Sequence, residues 1–128
     1  MERYDPADAP IPDEWLALDE GERIDLVQRF HREARIPLPS LLAHAAFHVA
    51  VENQLALPDQ VLVRVTLQRL ISEGLSRHDA IHAVASVLAV RVHELLQPGA
   101  SATESEVEYH AKLRRLTAKG WRSGKALG

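Results

Sequence analysis

Apolar residues recur at every third or fourth position through most of this chain, which is the spacing of one face of an α-helix. Five stretches carry the pattern, and each begins beside a residue that can cap a helix: Asp19, Ser40, Asp59, Ser76 and Thr103. No stretch shows the alternation of apolar and polar residues that predicts a β-strand. The pattern therefore predicts an all-α fold, a compact bundle or short stack of four to five helices with no β-sheet.

Local signals predict where these helices begin and end. The pairs Asp19 with Glu22 and Thr103 with Glu106 have the spacing of a capping box. The first of the five helices is expected to end near residue 35, because prolines follow it at positions 37 and 39. Glycines at positions 74 and 120 are expected just after the ends of the third and fifth helices. The predicted organisation is an extended arm with a short helical turn (1–18), a single all-α domain (19–121) and a frayed tail (122–128).

The second helix is apolar almost all round. Residues 41–55 are mainly leucine, alanine, valine and phenylalanine, and the polar run Glu52-Asn53-Gln54 lies towards the end of the helix. A helix that is apolar on every face is expected to be buried on every side. Its two histidines, His44 and His48, are then expected in or near the interior.

Two pairs of histidines have the spacing of metal ligands on a helix. His44 and His48 are four residues apart, Glu52 follows after four more, and His78 and His82 repeat the spacing on another helix. Residues four apart lie one turn above each other on the same face. If the two helices lie side by side, these five side chains form a histidine-rich site that suits Zn²⁺, or Fe²⁺, Mn²⁺ or Ni²⁺, better than Ca²⁺ or Mg²⁺.

The spacing matches neither of two known metal motifs. A zincin has glutamate directly after its first histidine as a general base, and Ala45 holds that position here. A ferritin-like di-iron centre needs glutamates from several helices, and this helix offers only Glu52. A structural or sensory metal is favoured over hydrolysis, and the sequence assigns no reaction.

A metal-free alternative stays open. Histidines at the margin of a helical core are commonly satisfied by carbonyls and carboxylates, so the same side chains could form a buried hydrogen-bond network in a protein-interaction or scaffold domain. His31 and His110 are interpreted as ordinary residues of amphipathic faces. His93 is intermediate, because it lies three turns along the helix from His82 on the same face.

Composition adds exclusions and expectations about location and partners. There is no cysteine, so thiolate metal sites and disulfides are excluded. The first ten residues carry no apolar secretory segment and no stretch is long enough to span a membrane, which favours a cytoplasmic protein. The net charge of −3 gives no support for nucleic-acid binding, and the glutamates on the same helix as the basic C-terminal segment argue against it. A homodimer or a protein partner is expected to use an exposed apolar helix face.

Three segments together resemble a family of small uncharacterised bacterial helical proteins, a domain of unknown function. They are the run from His44 through Glu52-Asn53-Gln54, the run 73–84 that contains His78 and His82, and the piece from Tyr109 to Trp121. The resemblance covers most of the chain from about residue 40 onward. It implies a compact all-α domain and brings no activity with it.

Overall fold

The computed structural model consists of α-helices joined by short links. It describes residues 1–36, 38 and 40–127, with side chains as far as Gly124. Those residues contain seven helices and no β-strand, which confirms the all-α prediction and exceeds the expected four to five helices. Within them, no helix combines the length and apolarity needed to cross a membrane. The helices are α1 (Pro12–Ala17), α2 (Glu20–Glu33), α3 (Leu41–Ala56), α4 (Val61–Ser72), α5 (Arg77–Leu95), α6 (Ala102–Arg115) and α7 (Ala118–Leu127).

Helix α3 lies between two apolar cores and packs against α1, α2, α4 and α5. Ala45 and Val49 face one core, which contains residues of the arm, α1 and α2. Val51 faces the other core, which is built mainly by α4, α5 and α6. The prediction that α3 is buried on every side is wrong, since the side chain of Leu42 is 60% exposed. Several alanines of α3 are exposed as well, because alanine is favoured in helices whether or not it is buried.

The polar end of α3 joins it to neighbouring elements. Trp15 Nε1 in α1 donates a hydrogen bond to Asn53 Oδ1 at 2.9 Å. The hydroxyl of Tyr109 in α6 donates to Gln54 Oε1 at 2.7 Å. Asn53 and Gln54, which the sequence indicated only as part of a polar helix end, therefore link α3 to α1 on one side and to α6 on the other.

Several predicted helix ends are observed. The side chain of Asp19 accepts from the backbone N–H of Glu22, and the glutamate returns the bond, so the first capping box is present. Ser40 and Ser76 cap α3 and α5 through their hydroxyls. Gly74 follows α4 with a φ of 108°, a left-handed conformation that glycine adopts without strain. Helix α2 ends as expected, and the prolines at 37 and 39 lie outside the described residues.

Two predicted caps are displaced. Helix α4 begins at Val61 after Gln60, and not after Asp59 as expected. In the turn before it, the guanidinium of Arg64 donates a hydrogen bond to the carbonyl of Pro58. Helix α6 is capped by Ser101, whose hydroxyl accepts from the N–H of Glu104, so the predicted capping box of Thr103 and Glu106 is wrong. The serine lies two residues earlier, and this places Thr103 inside the first turn.

The end of the chain forms a separate helix where a frayed tail was expected from residue 122. Thr117 Oγ1 accepts a hydrogen bond from the N–H of Gly120 at 3.0 Å, and Glu73 Oε1 accepts from the N–H of Ala118 at 2.9 Å. These bonds satisfy the first N–H groups of α7, so Gly120 lies in its first turn and does not end a helix. The last predicted tail residue, Gly128, lies outside the described residues.

The N-terminal arm contributes to the core. Tyr4 is only 5% exposed. Its ring lies 5.6 Å from the ring of Trp15 and 6.4 Å from that of Phe30, centroid to centroid. Arg77 Nη1 also donates to the carbonyl of Pro6 at 3.1 Å. The segment that was expected to be an extended arm therefore packs on α1, α2 and the start of α5.

Candidate metal centre

Five histidine side chains from three helices converge between α2, α3 and α5: His31, His44, His48, His78 and His82. One ring nitrogen from each lies within 4.8 Å of those of all the others. The closest rings are those of His78 and His82, with centroids 4.3 Å apart, and His44 lies 4.7 Å from His82 across the α3–α5 interface. The two i,i+4 pairs therefore face each other, and α2 adds a fifth imidazole.

His31 is the member of the cluster that the sequence interpretation missed. It was taken for an ordinary residue of an amphipathic face, but it is completely buried at the end of α2. Its Nδ1 donates to the carbonyl of Val27 at 2.8 Å, and its Nε2 lies 3.1 Å from His44 Nε2. The available signal was its place four residues after Val27, which puts it on the core-facing side of α2.

The hydrogen bond to the Val27 carbonyl determines the tautomer of the His31 ring. A carbonyl oxygen can only accept, so Nδ1 carries the proton, and a neutral ring then has its lone pair on Nε2. That lone pair faces His44. The backbone of α2 thus orients this imidazole as an acceptor or a ligand towards the cluster.

A chain of polar groups leads from α5 to His48. Both guanidinium nitrogens of Arg77 bind the carboxylate of Glu52, each at 2.8 Å. The Tyr4 hydroxyl donates to Glu52 Oε2 and lies 2.7 Å from His48 Nε2. Because its single proton goes to the carboxylate, the tyrosine accepts from His48, which places the His48 proton on Nε2. The lone pair of a neutral His48 is therefore on Nδ1.

Two ring nitrogens are left without a hydrogen bond by this arrangement. His48 Nδ1 and His78 Nε2 are buried and have no hydrogen-bond partner among the described residues. Buried imidazole nitrogens are normally satisfied, so an unsatisfied pair in one cluster is accounted for by a bound water molecule or a metal ion. A metal ion would bind directly to these two ring nitrogens.

Burial favours the neutral form of three imidazoles of the cluster, those of His44, His48 and His78. It lowers the pKa of His48 far below the usual value, and the neighbouring histidines lower it further. The same two causes lower the pKa of His78 from 6.5 to about 4, although Asp79 and Asp5 oppose the shift. Burial and His31 also lower the pKa of His44. Neutral imidazole is the form that binds metals, so these side chains do not need to lose protons near neutral pH.

The predicted ligand Glu52 has another partner. It is 2% exposed, and its carboxylate is bound by Arg77 and Tyr4, so it reaches His48 only through the tyrosine. His93 is exposed on the part of α5 beyond the cluster, and His110 lies on α6. Neither belongs to the group of converging nitrogens.

A shallow groove of about 280 Å³ leads to the cluster between α3 and α5. His44, His48 and His82 line it on the inner side. The remaining lining residues are Phe47, Ala85, Ser86 and Ala89. The groove gives the cluster a route to solvent past Phe47 and three small side chains.

The spacing of the nitrogens is close to that of a ligand shell. With metal–nitrogen bonds of about 2.1 Å, neighbouring ligands of a tetrahedral ion are about 3.4 Å apart and opposite ligands of an octahedral ion about 4.2 Å apart. The 3.1 Å between His31 Nε2 and His44 Nε2 and the 4.8 Å limit for the whole group are near these values. Small rotations of the rings would bring them into coordination distance.

Comparison of the chain with protein-family models, with curated proteins and with solved structures finds no match. Any conclusion about function therefore depends on the geometry and chemistry of the cluster itself.

Proposed function

We propose that this protein binds one transition-metal dication through the histidine cluster. The observation that carries the proposal is the convergence of five imidazole nitrogens from α2, α3 and α5 within 4.8 Å of one another. The lowered pKa values of His44, His48 and His78 and the unsatisfied Nδ1 of His48 support it. The sequence predicted His44, His48, His78 and His82 as ligands, and the proposal adds His31.

The donor set favours metals that prefer nitrogen. Zn²⁺, Fe²⁺ and Ni²⁺ bind imidazole well, whereas Mn²⁺, Ca²⁺ and Mg²⁺ prefer oxygen ligands. Glu52 was the expected oxygen ligand, and its carboxylate is occupied by Arg77 and Tyr4. Its proposed role is to hold the Tyr4–His48 hydrogen bond that orients a ligand, and Mn²⁺ becomes the least favoured of the four candidate metals.

The proposed role of the metal is to tie three helices together, in a structural or sensory protein. The ligands lie on α2, α3 and α5, and Glu52, which the Tyr4 hydroxyl links to His48, is engaged in an ion pair. Glu52 is therefore engaged and is not free to act as the general base that a hydrolytic site uses. Membership in the bacterial family that the sequence resembles stays a prediction.

A metal-free interaction domain is the competing hypothesis. The 3.1 Å contact between His31 and His44 fits a hydrogen bond between imidazoles as well as a pair of ligands. A network of this kind would, however, leave His48 Nδ1 and His78 Nε2 unsatisfied. Each such buried group costs about 1–3 kcal/mol, so the metal-bound form accounts better for the cluster.

The test is a measurement of metal content and affinity on untagged protein. Elemental analysis is expected to find about one metal ion per chain, and calorimetric titration of the metal-free protein with Zn²⁺ is expected to give the same ratio. Chelator is expected to lower the melting temperature, because an ion that binds only the folded state stabilises it by mass action.

Matched histidine variants locate the site. Replacing half-buried His44 in H44A is expected to weaken Zn²⁺ binding by at least about tenfold, whereas H93A removes an exposed histidine and is expected to leave the affinity unchanged. Circular dichroism of both variants checks folding. Absence of bound metal together with no melting-temperature shift from Zn²⁺, Fe²⁺ or Ni²⁺ would favour the metal-free network.

A further inference from the structure

The groove between α3 and α5 reaches the cluster at three of its five histidines. His44, His48 and His82 line it, whereas His31 and His78 are not among its lining residues in the described part of the chain. An ion held by the five imidazoles would thus lie beside the groove, next to His44, His48 and His82. An octahedral ion with five protein ligands keeps one further coordination position.

Charge favours an anion in that position. The five imidazoles are neutral as ligands, so they do not compensate a dication. Glu52, the carboxylate nearest in the hydrogen-bond chain, is neutralised by Arg77. Asp5 and Asp79 influence His78, but neither belongs to the group of converging ligand atoms. A partly buried positive charge is costly unless an opposite charge pairs with it.

The walls of the groove offer few groups that could bind an anion. Phe47, Ala85 and Ala89 present carbon atoms. Ser86 is the polar side chain there besides the histidines, and its hydroxyl donates to the carbonyl of Ala83 at 2.6 Å. Its proton is therefore used, and none of the described residues that line the groove is an arginine or lysine of the kind that typically holds phosphate or a larger carboxylate. An anion there would be held by the metal itself.

We propose that the metal in this cluster has a coordination position open to the groove, and that a small inorganic monoanion of the size of azide or chloride binds there. The proposal depends on the metal centre proposed above and deepens it. The metal would then tie the three helices together and also bind a ligand, which fits the sensory of the two proposed roles, because a closed structural site offers no exchangeable position. The incoming anion replaces a water molecule, and no electron or proton transfer is needed.

The test uses protein loaded with Co²⁺, whose visible absorption reports changes in coordination, and sodium azide as the probe. Azide is expected to change the spectrum in a saturable manner while Co²⁺ stays bound at an unchanged ratio after desalting. Co²⁺ binding without any azide-dependent change would overturn the open position and leave the metal centre intact. Failure to bind Co²⁺, Zn²⁺ or Ni²⁺ would overturn both proposals.

A pair of variants on α5 tests whether the anion enters through the groove. A89F places a large ring in the groove, and V90F places the same ring at the next position, which is 43% exposed and does not line it. A89F is expected to retain Co²⁺ and to weaken azide binding by at least about tenfold, with V90F like wild type. If A89F does not fold, A85L provides a smaller obstruction. Equal azide affinity in the wild type and a folded, Co²⁺-loaded groove variant would overturn the assignment to this groove.

Discussion

Tyr4 determines how His48 is presented to the cluster. Its hydroxyl donates to Glu52 and accepts from His48 Nε2, and this directs the lone pair of Nδ1 away from the arm. Burial and the nearby Glu52 carboxylate raise the pKa of Tyr4 well above its usual value, so the phenol stays protonated. Contacts of this kind around a ligating histidine set its tautomer and its basicity.

Removing this hydroxyl is expected to weaken metal binding without removing a ligand. Y4F should weaken Zn²⁺ binding by about 10–100-fold, because His48 loses the acceptor that fixes its orientation. The measurement is calorimetric titration at neutral pH. The matched control is Y109F, which loses a comparable hydrogen bond to Gln54 outside the cluster and should leave the affinity unchanged. Equal affinities for Y4F and wild type would contradict a role for Tyr4 in orienting His48.

At the scale of residues, only part of the centre was predictable. His44, His48, His78 and His82 are visible in the sequence because their helical spacing is local. His31 is 13 positions from His44, and Tyr4 is 44 positions from His48, so no periodicity links them. Such contacts depend on how helices pack, which spacing within one helix does not encode.

Arg77 links two elements at a position where a cation is unfavourable. It is the first residue of α5, where the helix dipole favours negative charge. Its side chain is 12% exposed and binds Glu52, which is 1% exposed, near the end of α3. The favourable geometry of this ion pair thus outweighs the dipole and ties the start of α5 to α3.

Loss of this ion pair is expected to destabilise the fold strongly. R77M leaves the Glu52 carboxylate buried without its guanidinium partner, which typically costs about 3–5 kcal/mol of unfolding free energy. Urea unfolding followed by circular dichroism measures the change. R115M breaks the exposed pair with Glu108 and is expected to cost no more than about 1 kcal/mol. Equal losses of unfolding free energy in R77M and R115M would show that the buried Arg77–Glu52 pair stabilises the fold no more than an exposed one.

At the scale of elements, apolar periodicity predicted the positions of α2 to α6, and serine or aspartate caps placed several of their ends. The displaced start of α6 reflects competition between the capping residues Ser101 and Thr103, whereas α4 begins after Gln60 without a side-chain cap. Helix α7 was missed because its first turn is capped partly by Glu73 from another part of the chain. Local signals alone cannot supply a cap of that kind.

The clustering of neutral imidazoles makes the stability of the whole metal-free molecule dependent on pH. His78 has a pKa of about 4 in the folded protein and 6.5 as the ordinary value, and His44 and His48 shift in the same direction. Between these values the unfolded chain binds more protons than the folded one. The free energy of unfolding therefore falls as the pH is lowered from about 6.5 to about 4.

Urea unfolding of metal-free protein at pH 7, 5.5 and 4.5 is expected to show this loss. The variant H78Q removes one of the shifted groups and should depend less steeply on pH over the same range. Asp5 and Asp79 act on His78 in the opposite sense, and His31 and His44 act in the same sense as burial. Identical pH dependence in H78Q and wild type would contradict the assignment to His78.

At the scale of the molecule, the meeting of the two histidine pairs was a conditional prediction, because it required their helices to lie side by side. The contact of α3 with α5 fulfils that condition, and α2 covers the same place from the other side. The exposure of Leu42 shows that an apolar composition does not predict complete burial of a helix. A small chain has too little surrounding structure to enclose one helix on every side.

The distribution of the five imidazoles along the chain bears on the order of folding. Three belong to the neighbouring helices α2 and α3, and the other two arrive with α5, which is separated from α3 by the whole of α4. Contacts between neighbouring segments form sooner, because less chain must be closed into a loop. An ion present during folding would therefore meet a three-histidine half-site before α5 docks over it. An ion that arrives later would enter through the groove between α3 and α5. The rate at which the centre binds its metal would therefore depend on whether the metal is present during synthesis.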